Sequence, residues 1–390
     1  MKVILAVNAI KPPLTGIGRY NWELATRIPS ISEVEDVRFL RGGRGQWVKD
    51  IDALLQGSAM KIAARRSLLR SSTVVASYRF LTTILLRQRL RPYADYIFHG
   101  PNFYLPQCSG PAIATIHDLS IFRYPQFHPP ERVAFMEKEV AISLERANFL
   151  ITDSEFVRQE VIEFFGWPEH KVRSVPLGVT DDFHPRNREQ TADVLGRFGL
   201  EYGGYTFCVA TIEPRKNIAA LLSAYGELPE PLRKRYPLVL AGDKGWLSKP
   251  IHRGIEQGQR EGWLRYLGFV PESDLPAIFS GARGFAYPSL YEGFGLPVLE
   301  AMASGVPTLI SNRSSLPEVA ADAALIVEAD DIREISDNLR ILLEDEQWRN
   351  IAVEKSLEVA SRYSWEATAQ KTVDVYRTVA DGNFSLGSRA

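Results

Sequence analysis

A chain of 390 residues is long enough for about two domains, each with its own core. A hydrophobic share of 45%, a charged share of 24% and a net charge of −1 are ordinary for a soluble globular chain and exclude a global pull towards nucleic acid. No apolar run approaches the roughly 20 residues of a membrane span, and Cys108 and Cys208 have neither metal-type nor disulfide-framework spacing, which suits a reducing, cytoplasmic setting.

Val3–Val7 is a continuous apolar run, as expected of a parallel strand covered on both faces, and MKVILAVNAI is too short for a signal peptide. A loop over 12–18 follows, then a helix over 19–27. Thr15-Gly16-Ile17-Gly18 therefore lies between strand and helix, where backbone can approach a phosphate or a sugar, or where it makes a plain turn. Asn21 holds the place of the third glycine of the dinucleotide fingerprint, so NAD binding is disfavoured. Asp50-Ile51-Asp52, in WVKDIDALL, reads as surface carboxylates on a helix and not as a metal pair.

Residues 53–94 hold eight cations, among them Arg65, Arg66 and Arg70, and no acid, with aliphatic and aromatic residues between. Two readings are equally open: a basic amphipathic segment on an anionic membrane surface, or a helix pair with a solvated basic face.

Tyr96–Phe98 and Ala112–Ile116 read as two more strands, ending at His99 and His117. In open α/β sheets ligands gather at the carboxyl ends of strands. His117-Asp118 is the better candidate: a histidine there can hydrogen-bond a hexose hydroxyl or a carbonyl, with the adjacent carboxylate fixing its tautomer, although a lone histidine is more often structural. A helix over 130–146, a strand over 149–152, a helix capped by Ser154 and a strand over 172–175 complete this half. The turn-rich stretch 176–190 contains the domain boundary, which gives domains of 1–183 and 184–364.

The alternation then restarts, with a strand over 205–210 and a helix over 217–225. Between them TIEPRKN sets Arg215 and Lys216 at the carboxyl end of a strand, where two cations could neutralise a diphosphate leaving group. A mere surface pair would be unusual there, because cations oppose the dipole at a helix start. Strands over 238–241 and 264–269 and a helix over 275–280 follow. A strand ending at Gly284–Tyr287 leads into Tyr291-Glu292-Gly293-Phe294-Gly295, and Pro297 opens a helix over 298–304. Free N–H groups of Phe294, Gly295 and Leu296 would point out of this helix start, flanked by Glu292 and Glu300. A diphosphate could take the amides while the carboxylates accept from hydroxyls on either side, which suits a sugar nucleotide. On spacing alone, a glycine turn with two solvated carboxylates is equally good. Helices over 331–344, 346–361 and 365–379 end the chain.

The stretch AYPSLYEGFGLPVLEAMASGVP resembles the E-x7-E segment of family 4 glycosyltransferases, retaining enzymes of GT-B fold. TGIGRY resembles that family's first glycine loop, TIHDLSIFRYP its first-domain active-site histidine segment, and TIEPRKN its phosphate-binding Arg-Lys. HGPNFYLP, with His99 and Asn102, resembles a further family segment. The resemblance covers nearly the whole chain and is weakest over 40–95. It implies two Rossmann-like doubly wound α/β domains facing a central cleft, with the helix over 365–382 crossing back to the first, acceptor-side domain.

It further implies that Glu300 binds the ribose, Arg215 and Lys216 the diphosphate, and Glu292 with the amides of Phe294, Gly295 and Leu296 the hexose and its phosphate. Gly16 and Gly18 would close over the phosphates, backbone at Gly268 and Val270 would meet the base, and His117 would touch the hexose. The expected activity is retaining transfer of a hexose from a nucleoside diphosphate sugar, mannose from GDP-mannose above all, to a saccharide or lipid-linked acceptor, as in bacterial mannosyltransferases of surface polysaccharide synthesis. No metal and no other cofactor is expected. The expected location is the cytoplasm, including its membrane face. A GT-B phosphorylase or epimerase, and a sugar-nucleotide-binding protein without turnover, are the alternatives; His117, Arg215, Lys216, Glu292 and Glu300 together speak against the last.

Overall fold

A computed structural model describes residues 1–14, 16–42, 45–55 and 84–382. The core of the basic segment expected over 53–94 thus lies outside the described residues, which resume at Ile84.

Two sheets organise the chain. The first has the strand order β3-β2-β1-β4-β5-β6-β7, from β1 (Lys2–Ala6), β2 (Asp36–Arg41), β3 (Gln46–Val48), β4 (Ile97–Gly100), β5 (Ala112–Ile116), β6 (Phe149–Thr152) and β7 (Val172–Ser174). All neighbours are parallel except the edge pair β2 and β3. The second is wholly parallel, in the order β10-β9-β8-β11-β12-β13, from β8 (Thr206–Val209), β9 (Leu238–Ala241), β10 (Leu264–Gly268), β11 (Gly284–Tyr287), β12 (Thr308–Ser311) and β13 (Ala324–Val327). The apolar runs become strands because helices cover both faces: Val3, Leu5, Ile113, Leu238 and Leu309 are wholly buried.

In each sheet the chain first builds outward on one side, then returns to the other side of its first strand. The reversals fall between β1 and β4 and between β8 and β11. Outside the carboxyl ends of such strands lies a crevice where loops part. Here the two crevices face each other.

The chain crosses between the units twice, side by side. Val179 bridges to Ser364, and a Cβ on Gly178 would lie 2.2 Å from the Trp365 nitrogen. The helix Trp365–Ala380, capped by the Ser364 hydroxyl, then returns to the first unit. It is tied there by Thr368 donating to the Pro176 carbonyl at 2.8 Å and by Tyr376 to His99 at 2.7 Å.

Several expectations are corrected. WVKDIDALL is not a helix: Trp47 and Val48 belong to β3, and a short 3-10 turn spans Asp52–Leu54, started by Asp50 Oδ1 accepting from the Asp52 N–H at 2.9 Å. β4 runs through His99 to Gly100 instead of stopping before it. His99 is buried, its second ring nitrogen 2.8 Å from the Thr115 hydroxyl, and burial pulls its pKa down to about 3. It is a neutral tie between sheet and terminal helix.

Candidate active site

The sequence Thr211–Asn217 makes a tight turn after β8. Pro214–Lys216 form one 3-10 turn, and Asn217 adopts a left-handed φ of 54°, which its side chain stabilises by donating to the Pro288 and Ala329 carbonyls at 3.1 and 2.7 Å. This turn aims Arg215 and Lys216 at the loop after β11. Lys216 Nζ donates to the Tyr287 hydroxyl at 2.9 Å and to both Glu292 carboxylate oxygens, at 2.7 and 2.9 Å. Arg215 donates to Glu292 at 3.2 Å, to the Tyr291 carbonyl at 2.8 Å, and through Nη2 to Glu213 at 2.9 Å.

Two cations and two carboxylates, all largely buried, thus form one neutral cluster. Burial alone would raise the Glu292 pKa, but Lys216 and Arg215 outweigh it and bring it down to about 2. Arg215 and Lys216 are therefore not waiting empty-handed, as their position in the sequence suggests. An anion must compete with Glu292 for them.

The loop that carries Glu292 is held from below by a serine cluster after β12. Ser314 accepts from the Glu292 N–H at 2.8 Å, and Ser315 donates to the Glu292 and Phe294 carbonyls at 2.9 and 2.8 Å. Gly295 then takes a φ of +112°, open only to glycine without strain, and the helix Leu296–Ala303 begins. No hydrogen bond among the described residues engages the N–H groups of Phe294, Gly295 or Leu296, so this helix start has free donors. Gly16, at the start of the first unit's helix Gly16–Arg27, faces it: a Cβ there would lie 3.9 Å from Leu296.

Glu300, one turn into the helix Leu296–Ala303, is half-buried. Burial pushes its pKa up to about 8, against the pull of Arg19. Arg19 also pairs with Glu272, four residues past the end of β10, and so links the two units. Gly268 has a φ of +65° and its carbonyl accepts from the Gly242 N–H at 2.7 Å; Val270 is buried, and Phe269 between them is half exposed.

His117 meets the second unit through its backbone and not through its ring. The ring is buried among Tyr20 and Phe103, with Nδ1 2.7 Å from Asp153 and Nε2 2.9 Å from the Pro101 carbonyl. Both partners can accept, which favours a proton on each ring nitrogen, while burial raises the Asp153 carboxyl above its ordinary value. Burial opposes the charge, but Asp153 outweighs it and holds the pKa above the ordinary value. The expected partner, Asp118, is instead turned to the Ser120 N–H and hydroxyl, at 2.9 and 2.7 Å. Asp153, Glu213, Tyr287 and Ser314 were missed by sequence reasoning; only Glu213, two residues before Arg215, offered a local signal.

The units interlock around this cluster. Ser154 donates to the Gly293 carbonyl at 2.7 Å, and Glu318 caps the helix Glu155–Phe165 by accepting from the Glu155 and Phe156 N–H groups at 2.8 and 3.0 Å. Tyr291 reaches Glu160 and accepts from the Leu119 N–H at 2.9 Å. Beside Tyr291 is a cavity of about 450 Å³ shared by both units. Among the described residues no group of three or more His, Cys, Asp and Glu is placed to hold a metal ion.

The family model for glycosyl transferases group 1 matches residues 201–359. The chain is 42% identical over 381 residues to the O-antigen chain mannosyltransferase B of Escherichia coli, covering 97% of this chain and 100% of that one. It is 34% identical over 251 residues to the serotype-specific mannosyltransferase WbdA of Escherichia coli, spanning 63% of this chain but 30% of that larger one. Among solved structures, Anabaena Alr3699/HepE in complex with UDP-glucose superposes with a TM-score of 0.72 at 15% identity, over 97% of this chain and 100% of that one. Sucrose-phosphate synthase from Thermosynechococcus elongatus does so with a TM-score of 0.70 at 18% identity, over 98% and 100%. At such identities the likeness speaks for the fold alone, the two-unit GT-B architecture.

Proposed function

The chain belongs to the family of glycosyl transferases group 1 and is a hexosyltransferase, and from that premise we propose that it transfers mannose from GDP-mannose, with retention, to a saccharide of a growing surface polysaccharide. The identity of the sugar rests on the 42% relationship to O-antigen chain mannosyltransferase B. The observation that carries the chemistry is the buried Arg215–Lys216–Glu292 cluster beside a helix start with free amides.

In this reading the donor's diphosphate takes Lys216 and Arg215 from Glu292 and also meets the N–H groups of Phe294, Gly295 and Leu296. Gly16 and Gly18 close over the phosphates from the first unit. Glu292, released, accepts hydrogen bonds from hexose hydroxyls. Glu300 accepts from the ribose hydroxyls, with Gly268 and Val270 near the base. His117 acts through its carbonyl and fixed loop, while its protonated ring adds positive field from within the first unit.

The C1–O bond to the diphosphate breaks and a C1–O bond to the acceptor forms on the same face. The acceptor's proton passes to the leaving phosphate oxygen. The protein cations carry the developing negative charge, so no metal is required. The acceptor is a saccharide, free or lipid-linked. In the latter case residues 53–94 bring the protein to an anionic membrane surface.

A calorimetric panel of nucleoside diphosphate sugars tests this. GDP-mannose is expected to bind best, and its affinity to fall when Lys216 is changed to Ala. Binding of every nucleotide sugar unaffected by Lys216→Ala would overturn the assignment.

A further inference from the structure

His128 stands out among the polar side chains of the first unit. It lies in the loop after β5 that also carries His117 and Asp118. Its side chain is 5% exposed, yet neither ring nitrogen makes a hydrogen bond. Leaving a buried polar group without a partner costs on the order of 1–3 kcal/mol, so folded proteins rarely do so without a reason.

The surroundings indicate the reason. Trp246, in the loop after β9, reaches across from the second unit. Its indole N–H donates to the Phe127 carbonyl, its ring centroid is 5.7 Å from that of His128, and the Arg132 guanidinium lies over it at 4.8 Å. His128 thus sits where the carboxyl edges of both sheets meet. Burial lowers its pKa, and so do the neighbouring cations Arg132 and Arg215; Asp118 and the nearby Ser120 carbonyl oppose them, less strongly. The ring is neutral, with one N–H to give and one lone pair to receive.

A phosphate would be drawn to Arg215 and Lys216, and it could use the N–H of a neutral ring but not its lone pair. A hydroxyl both donates and accepts, and so matches it, while a tryptophan wall suits the apolar face of a sugar. We propose that His128 is a sugar-binding residue of the cleft, one of its two unpartnered ring nitrogens meeting a saccharide hydroxyl beside Trp246. This rests on the glycosyltransferase reading above. The hydroxyl comes either from the donor's hexose or from the acceptor saccharide.

The test compares wild type with His128→Phe, which keeps a ring against Trp246 but removes both nitrogens, and with His128→Gln, which restores a donor and an acceptor. One arm measures binding of GDP and of GDP-mannose by calorimetry. The other measures KM for a mannose-terminated oligosaccharide at saturating GDP-mannose. His128→Phe is expected to lose about tenfold in one arm, the worth of a good hydrogen bond, while GDP binding stays at the wild-type value and His128→Gln recovers most of the loss. Loss in GDP-mannose affinity assigns the hydroxyl to the donor; a raised KM assigns it to the acceptor. No change in either arm, or a loss for GDP equal to that for GDP-mannose, overturns the proposal and makes His128 a packing residue. Wild-type protein that binds neither GDP nor GDP-mannose would instead overturn the GDP-mannose reading, and this proposal with it.

Discussion

Gly293 and His117 meet backbone to backbone across the cleft: a Cβ on Gly293 would lie 1.9 Å from the His117 carbonyl oxygen. No side chain stands between the units there, and neither backbone can yield without moving its sheet edge. Gly293→Ala is therefore expected to hold the units apart by an ångström or so. A displacement of about 1 Å at the reacting groups costs on the order of 10²-fold in turnover. Thermal stability should fall little, since the contact lies outside the buried apolar clusters. Wild-type turnover in Gly293→Ala would show that this contact is not part of the working state.

Arg215→Ala and Lys216→Ala should each cost on the order of 10²-fold in turnover, as loss of a preorganised charge donor does. Glu292→Ala should also destabilise the fold, because it strands the buried Lys216 and leaves Arg215 with Glu213 alone; roughly 3 kcal/mol is expected from removing one partner of a buried pair. Chemical denaturation checks this. A Glu292→Ala protein as stable as wild type would mean that solvent, and not Glu292, balances the pair. For pH, the Glu292 pKa of about 2 lies below its ordinary value of 4.5. Its contribution to stability is present above 4.5 and is lost as the pH falls from there towards 2.

Glu300 titrates in the opposite sense. Its pKa of about 8 is raised, so in the free protein it holds a proton at neutral pH. Ribose hydroxyls donate best to the ionised form, so binding should release that proton. GDP affinity is expected to rise with pH up to about 8, by no more than about tenfold per unit, and then to level off. In Glu300→Gln the slope should vanish. A slope that survives this substitution would assign the titration to another group.

The membrane reading of residues 53–94 predicts salt-sensitive co-sedimentation with anionic vesicles, reduced when Arg65, Arg66 and Arg70 are changed to Gln. Each cation is worth roughly 1 kcal/mol near such a surface, within a Debye length. Equal sedimentation of both proteins, or none of the wild type at low salt, would leave the acceptor free in solution.

Continuous apolar runs identified the inner strands well: Phe149–Thr152, Leu238–Ala241 and Gly284–Tyr287 are found where the sequence puts them. The edge strands β2 and β3 escaped notice, because DVRFLR and QWV are partly exposed and carry no sustained apolar run. WVKDIDALL was misread because alanine and leucine favour helix while the pairing of Trp47 with Leu40 is set 7 residues away in sequence. Arg215, Lys216 and Glu292 were legible because motif and strand end coincide. That Glu292 pairs with both cations, that Asp153 is the carboxylate hydrogen-bonded to His117, and that Trp246 covers His128 are contacts between distant segments. Local spacing holds no trace of them.

The central claim is hexosyl transfer at the Arg215–Lys216–Glu292 cluster. The measurement that tests it most directly is NMR analysis of the product formed from GDP-mannose and a mannose-terminated oligosaccharide in the presence of EDTA. The account predicts one new mannosidic linkage with the anomeric configuration of the donor, and its loss in Lys216→Ala. A product of inverted configuration, or equal product from the Lys216→Ala protein, would contradict it.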